Sequence, residues 1–244
     1  RFRNVTGVQT CALPICLAAL SSLRVVAAES ASAVRGVRFV DRTSAAWQSQ
    51  QVQEPCIVPN PRDPTRLVML YSGVPAADRK RCDIGKAWAL RSDPFKWHED
   101  KANPVLSPSR DGWDSGSIRL DAVVHVPEED AYYIYYSGTR RTVQDQIGLA
   151  ICPVGADGYS GLTPEAIRRV GDRPVLAPDP AAPFHEEMAS QAAVWRERNP
   201  ADGGWDWYMY YSYRGKDGVL PGLRDRKSTR LNSSHVSESR MPSS

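Results

Sequence analysis

The chain has 244 residues, of which 41% are hydrophobic, and a formal net charge of +3 at pH 7. This length suffices for one large domain or part of one, and the sequence has no apolar run long enough to span a bilayer. The positive charge is concentrated at the two ends, so no basic patch indicates binding to nucleic acid or to an anionic membrane.

Both ends of the chain resemble the translation of a sequencing adapter. Residues 225–244 (DRKSTRLNSSHVSESRMPSS) match the in-frame translation of a common short-read adapter, and residues 1–15 (RFRNVTGVQTCALPI) match its opposite strand. The two segments together contribute four net positive charges, and removing these from +3 leaves −1 for residues 16–224. We therefore expect both segments to lie outside the native domain and to be unpacked.

Residues 16–33 predict the remnant of a signal peptide. The run LAALSSLRVVAAESASA (17–33) is apolar, then small, and closes on Ala31-Ser32-Ala33. This pattern is typical of the end of a secretory signal and predicts a secreted or periplasmic protein. An ordinary N-terminal helix, interrupted by Arg24, is the alternative.

Three sequence elements recur in the same order. A run ending in Tyr-Ser occurs as LVMLYSG (67–73), YYIYYSG (132–138) and WYMYYSY (207–213). The segment IGKAWALRSDP (84–94) returns as IGLAICP (147–153), and NPVLSP (103–108) returns as RPVLAP (173–178). The copies lie about 63 to 75 residues apart, which predicts a repeat architecture.

Each repeat predicts short strands, because its β-branched and aromatic runs are bounded by Gly, Pro, Asp and Asn. The expected strands are 57–58, 67–71, 84–90 and 105–106, then 118–126, 132–136, 147–151 and 175–176, then 189–195 and 207–211. Four short strands per unit are typical of a propeller blade. The predicted fold class is therefore all-β, with about two and a half to three blades over residues 34–224.

The order of Glu-Pro, a YYSG-like strand, IGxAxSxDPxxW and NPVL resembles the five-bladed β-propellers of glycoside hydrolase families 43, 32, 117 and 130, over roughly residues 52–213. The resemblance implies a partial five-bladed propeller that would be inactive as this span alone. It implies cleavage of glycosidic bonds by paired carboxylates on the innermost strands. No cofactor is expected, and a calcium ion in the central channel of such a fold would be structural.

Two acids precede the first apolar pair of their units. Glu54, in VQEPCIV, resembles the Asp of the family 43 Asp-Pro motif, which implies the role of general base. Asp121, in IRLDAVVHV, resembles the second-blade Asp that orients the general acid and tunes its pKa. An acid within an apolar strand is also costly without a polar purpose. Arg119 lies two residues earlier, where it could pair with Asp121 or bind substrate.

The third unit departs from this pattern, because Gln191 in ASQAAVW stands where family 43 has its general acid. Glu187 is the preferred candidate for that role, and Glu186 and His185 lie beside it. The alternatives are that His185 serves as the acid, that HEE is a solvated loop, or that the standard chemistry has been lost.

The segment GWDSGSI leads into the second inner strand and contains two candidate substrate-binding residues. The ring of Trp113 could stack on a sugar face, and the carboxylate of Asp114 could hold sugar hydroxyls. A tryptophan that closes the blade is the alternative. His185 and Arg119 complete the expected substrate-binding set.

The expected function is that of a glycosidase acting on a poly- or oligosaccharide, so the expected partner is a carbohydrate. A non-catalytic carbohydrate-binding propeller is one alternative, and Gln191 favours it. A glycan phosphorylase is another, which would need a basic phosphate site formed from Arg119, Arg140 and Arg141. Fold alone does not choose between these, because function resides in the site.

Overall fold

The computed structural model describes residues 45–140, 143–179, 181, 186–215 and 222–228. They fall in one of the chain's two contact units, Val37–Ser244, whereas the unit Arg1–Gly36 lies outside the described residues. Within the described ranges, regular structure consists of β-strands and one 3₁₀ turn at Ala46–Gln48.

The strands form three antiparallel sheets, each in chain order, which we call blades 1, 2 and 3. Blade 1 contains β1 (Gln51–Pro59), β2 (Arg66–Val74), β3 (Asp83–Leu90) and β4 (Asp93–Glu99). Blade 2 contains β5 (Ser117–Val126), β6 (Ala131–Arg140), β7 (Val143–Pro153) and β8 (Arg168–Arg169). Blade 3 contains β9 (Glu186–Arg198), β10 (Trp205–Gly215) and β11 (Gly222–Ser228). The predicted all-β fold of repeated propeller-type blades is confirmed.

The blades stack because their middle strands are apolar on both faces. In β6, Tyr132, Ile134 and Tyr136 belong to the core between blades 1 and 2. The alternating residues Tyr133 and Tyr135 belong to the core between blades 2 and 3. Successive side chains of a strand point to opposite faces, so a strand that is buried on both sides needs an uninterrupted apolar run. The run YYIYY provides it.

The fourth strand of the two complete blades differs from the prediction. Residues 105–106 and 175–176 form only single bridges, Ile84↔Leu106 with β3 and Ile147↔Leu176 with β7. The fourth strands are β4 and β8 instead. Pro104 and Pro108 flank the first of these short runs, and a proline has no N–H to extend a ladder.

Blade 3 includes part of the segment that we expected to be unpacked. β11 pairs antiparallel with β10, and its residues 225–228 lie in the adapter-like tail. An unpaired strand edge offers backbone N–H and C=O groups to any extended chain, whatever its side chains. This pairing corrects the expectation of a tail without a partner, but the origin of the segment is a statement about sequence and stays a prediction. The adapter-like head lies outside the described residues.

A candidate carboxylate site at the inner strand bulges

The inner strand of each blade, β1, β5 or β9, contains a β-bulge. The bulges include Glu54, Asp121 and Gln191 respectively, and Glu54 and Gln191 have positive φ angles of 53° and 57°. A bulge places two residues opposite one and changes the direction of the side chains there. Glu54, Asp121 and Gln191, which occupy equivalent positions in the three repeats, therefore lie where the hydrogen-bond ladder between the first two strands is interrupted.

A serine from the second strand of each blade contacts the bulge. The hydroxyl of Ser72 donates to Glu54 Oε2 at 2.8 Å. The hydroxyl of Ser137 lies 2.9 and 2.8 Å from the two carboxylate oxygens of Asp121. In blade 3, Ser212 donates to Gln191 Oε1 at 3.1 Å. These serines belong to the repeated Tyr-Ser motif, so the repeat fixes the orientation of all three side chains.

Two of these serines also join neighbouring blades. The backbone N–H of Leu120 in blade 2 donates to Ser72 Oγ at 2.8 Å, and that of Gln191 in blade 3 donates to Ser137 Oγ at 2.9 Å. A hydroxyl has one proton to donate and can also accept. Because each serine accepts from the next blade, its own proton is directed at the carboxylate.

The carboxyl of Asp121 titrates far from its ordinary range. Burial raises the pKa of Asp121 to about 7, although Ser137 and the backbone N–H of Ala192 lower it by hydrogen bonding. The charge of Glu54 raises this pKa further, whereas that of Arg119 lowers it. The side chain keeps partial exposure. Asp121 is therefore a carboxyl that can exchange a proton near neutral pH.

The pKa of Glu54 responds, like that of Asp121, to burial and to the charge of Arg119. Burial raises its pKa above the ordinary value, and the Ser72 hydroxyl and the charge of Arg119 oppose that rise. The structure brings these three predicted residues together, because Ser72 donates to Glu54 and accepts from Leu120 beside Asp121, and the charges of Glu54 and Arg119 both act on Asp121.

Arg119 forms an ion pair with Asp145 on β7, with 2.5 Å between Nη2 and Oδ2. The structure thus gives it a partner other than Asp121, because the bulge interrupts the alternation that would place residues 119 and 121 on one face. Sequence reasoning missed Asp145. A signal was available, since an acid precedes the repeated Ile-Gly in both units, as Asp83 before Ile84 and as Asp145 before Ile147.

Trp113 packs inside the blade. Its ring stacks on Tyr136, with centroids 5.7 Å apart and an interplanar angle of 11°. A Cβ added at Gly138 or Gly148 would collide with this ring. These glycines come from the repeated YSG and IG motifs, so the motifs and the tryptophan fit one another.

Blade 1 repeats this arrangement with Trp47, whose ring would collide with a Cβ at Gly73 or Gly85. The sequence contains the matching pair of motifs, WQS at 47–49 and WDS at 113–115, which our sequence analysis did not align. These contacts favour the alternative stated above, a tryptophan that closes the blade, over stacking of Trp113 on sugar.

Asp114 is also engaged within the fold. It is 1% exposed, accepts a hydrogen bond from the Tyr136 hydroxyl at 3.1 Å and pairs with Arg169 at 2.8 Å. A carboxylate buried with these partners has no open path to a sugar hydroxyl. This geometry corrects the expectation that Asp114 binds substrate.

Glu187 lies on β9, four residues before Gln191. At about 3.3 Å per residue, that separation is roughly 13 Å along the strand. Glu187 is partly exposed and makes no hydrogen bond or ion pair with another described residue. The structure does not bring it to the bulge with the other acids. His185 lies outside the described residues.

A cavity of about 330 Å³ opens between blades 1 and 2, at the end where the inner strands begin. Its wall includes Gln53, which precedes Glu54, Arg119, which lies two residues before Asp121, and also Cys82. Burial, followed by the charge of Glu54, raises the pKa of the Cys82 thiol to about 12. The thiol is therefore protonated at neutral pH and is a poor nucleophile.

The described part of the chain contains no cluster of three or more His, Cys, Asp and Glu side chains suited to a metal ion. A structural calcium in the central channel stays an expectation from the resemblance. Over the same residues, no helix has the length and apolar character needed to cross a membrane.

No protein-family model matches the sequence, and no curated protein is recognisably similar to it. Among solved structures, the chain is similar to a fructofuranosidase from Schwanniomyces occidentalis complexed with fructose, with 13% identity, a TM-score of 0.48, and coverage of 72% of this chain and 31% of that one.

Two further structures are similar to it. One is the β-1,2-mannobiose phosphorylase from Listeria innocua, with 16% identity, a TM-score of 0.47, and coverage of 73% and 45%. The other is an N-acetylgalactosamine deacetylase from F. plautii, with 15% identity, a TM-score of 0.47, and coverage of 71% and 49%. The chain thus spans about a third to a half of the length of these proteins.

Proposed function

We propose that this chain is part of a carbohydrate-active propeller enzyme that cleaves glycosidic bonds with the carboxyls of Glu54 and Asp121. One observation supports the proposal above the others. The two carboxyls are held at the bulges of neighbouring blades by equivalent serines, and the charge of Glu54 raises the pKa of Asp121. A pair of carboxyls with different protonation is the minimum that glycoside hydrolysis needs.

Asp121 is the proton donor in this proposal. A general acid must keep a proton near the working pH, and the pKa of about 7 satisfies that condition. Gln191, at the position of the family's acid, cannot donate a carboxyl proton, and Glu187 lies further along its strand. Asp121 therefore performs the proton donation that the resemblance would assign to a residue of blade 3.

Glu54 is the base. The Ser72 hydroxyl and the guanidinium of Arg119 favour its ionised form against the effect of burial. An ionised carboxylate there would activate water, or attack the sugar directly, depending on its separation from Asp121 in the substrate complex.

The test is a comparison of two variants in the whole protein, assayed for release of reducing sugar from a panel of oligosaccharides and polysaccharides. Asp121→Asn and Glu54→Gln should each lower kcat/KM by about 100-fold or more, because a neutral amide replaces the transferring carboxyl. Asp111→Asn and Glu165→Gln are matched controls, since both acids are exposed, and they should leave kcat/KM unchanged. If Glu187→Gln removes turnover while Asp121→Asn does not, the acid has been assigned wrongly.

A non-catalytic carbohydrate-binding propeller is the second candidate, and the neutral Gln191 is the observation that favours it. Such a protein would bind a glycan without releasing reducing sugar, and its Asp121→Asn variant would lose affinity alone. Calorimetric titration with the same panel separates the two candidates. Secretion stays a proposal from residues 16–33, which lie outside the described residues.

A further inference from the structure

The cavity between blades 1 and 2 has a basic wall. Four of the residues that form it are cationic, namely Arg79, Lys80, Arg81 and Arg119, and the others are neutral. No local pattern in the sequence indicates this wall, because residues 79–81 belong to the loop between β2 and β3, whereas Arg119 lies on β5 in the next blade. The fold brings the loop and the strand to one opening.

Two of the guanidinium groups are held in place by acids, one buried and one half-buried. Arg81 Nε and Nη2 donate to Asp83 at 2.9 Å each, and Asp83 is 2% exposed. Arg119 is held by Asp145. A guanidinium has five N–H donors in a fixed plane, so each of these arginines retains donors beyond those that its acid uses. Such groups lose little conformational freedom when they bind a ligand.

The other two cations have no such partner. Neither the guanidinium of Arg79 nor the ammonium of Lys80 makes a hydrogen bond or ion pair with another described residue, and both side chains are exposed. The nearby Asp78 carboxylate accepts the backbone N–H of Lys80 and is not part of the wall. The cavity thus combines two oriented guanidinium groups with two cations that are available to a ligand.

We propose that this cavity binds an oxyanion: a carboxylate, a sulfate or a phosphate. Planar, bidentate guanidinium donors match the oxygen geometry of all three groups, and Lys80 adds a mobile positive charge. Two sources supply this chemistry: an acidic substituent on the glycan, or free inorganic phosphate. The first source rests on the proposed function, whereas binding of the oxyanion itself does not.

The position of the cavity gives the oxyanion a consequence for the carboxyl site. Arg119 is shared, because it lines the cavity and its charge lowers the pKa of both Glu54 and Asp121. An anion bound to Arg119 would partly neutralise that charge, so both carboxyls would hold their protons to higher pH. Binding in the cavity and protonation at the bulges are therefore coupled.

The direct test is binding, measured by calorimetric titration and by thermal melting. The purified protein is titrated separately with inorganic sulfate, inorganic phosphate and glucuronate, each against sodium chloride at equal ionic strength. At least one should bind saturably and raise the Tm where chloride does not. The double substitution Arg79→Gln with Lys80→Gln should weaken that binding by about tenfold or more, as expected for lost charged hydrogen bonds. Arg110→Gln is the control, because that side chain is 96% exposed and outside the wall.

The three probes distinguish the two sources. Saturable binding of glucuronate or sulfate indicates an acidic substituent, whereas binding of phosphate alone indicates a free co-substrate. The proposal is overturned if no probe binds more tightly than chloride. It is also overturned if the double variant keeps full affinity, as Arg110→Gln should. None of these readouts needs turnover, so a failure of the glycosidase proposal would appear separately, in the activity assay.

Discussion

The two junctions between blades have the same backbone connection but different chemistry. In both, a serine hydroxyl accepts an N–H from the next blade and donates to a side chain at a bulge. The junction of blades 1 and 2 adds the cavity with its basic wall, whereas at the junction of blades 2 and 3 the facing bulge residue is the neutral Gln191. The repeat therefore preserves how blades are joined, and single side chains decide what each junction can do.

The two tryptophans show a similar contrast, because their packing is equivalent in blades 1 and 2 but the residue that follows differs. Trp47 and Trp113 fill the space left by equivalent glycine pairs, but the next residue is Gln48 in blade 1 and Asp114 in blade 2. A tyrosine hydroxyl donates to each, at 3.0 Å to Gln48 and 3.1 Å to Asp114. Only the carboxylate needs a cation, and Arg169 supplies it.

The largest expected effect tests the equivalence of the two tryptophans. Trp113→Ala and Trp47→Ala should each lower the free energy of unfolding by about 3–5 kcal/mol, because a large ring is removed from a space that glycines leave open. Denaturant unfolding measures this. If Trp113→Ala instead raises KM for a glycan with little change in stability, Trp113 binds sugar and the comparison with Trp47 fails.

A smaller effect tests the serines. Ser72→Ala and Ser137→Ala should each cost about 1–3 kcal/mol of unfolding free energy, since the inter-blade N–H loses its acceptor. Ser212→Ala should cost less, because no N–H of another described residue donates to that hydroxyl. Equal losses in all three variants, measured by the same unfolding assay, would mean that the inter-blade bonds contribute nothing specific.

Ser137→Ala has a second readout in the pH dependence. The Ser137 hydroxyl lowers the pKa of Asp121, so its removal should raise that pKa further. If Asp121 must be protonated to act, the basic limb of the kcat/KM profile should move to higher pH. Ser212→Ala serves as the control and should leave the limb where it is.

The smallest expected effect concerns stability against pH. The pKa of Asp121 is about 7 in the folded chain and ordinarily 3.8, so the folded state holds this proton more tightly than the unfolded state does. The resulting stability is complete below the ordinary value and is lost as the pH rises towards 7. Asp121→Asn should therefore gain roughly 1–2 kcal/mol relative to wild type between about pH 4 and about pH 8, a figure reduced for partial exposure. Thermal melts of both proteins across this range would refute the shifted pKa if their difference were constant.

The repeated motifs were sufficient to predict the all-β fold and the order of the first three strands in the two complete blades. This succeeded because alternation, turn residues and repeat spacing are local properties of the chain. The predicted fourth strands were wrong, since the NPVL-like runs and β4 or β8 pair with different positions of the same strand, and only tertiary pairing decides which forms the ladder.

What the sequence determined by itself is the repeat and the position of Glu54 and Asp121 within it. The tertiary structure decided the rest of the site. It paired Arg119 with Asp145, buried Asp114 against Arg169, and brought the loop of residues 79–81 to the next blade. These contacts join residues far apart in the chain, and a strand pattern specifies which face a side chain takes but not which neighbouring blade it meets.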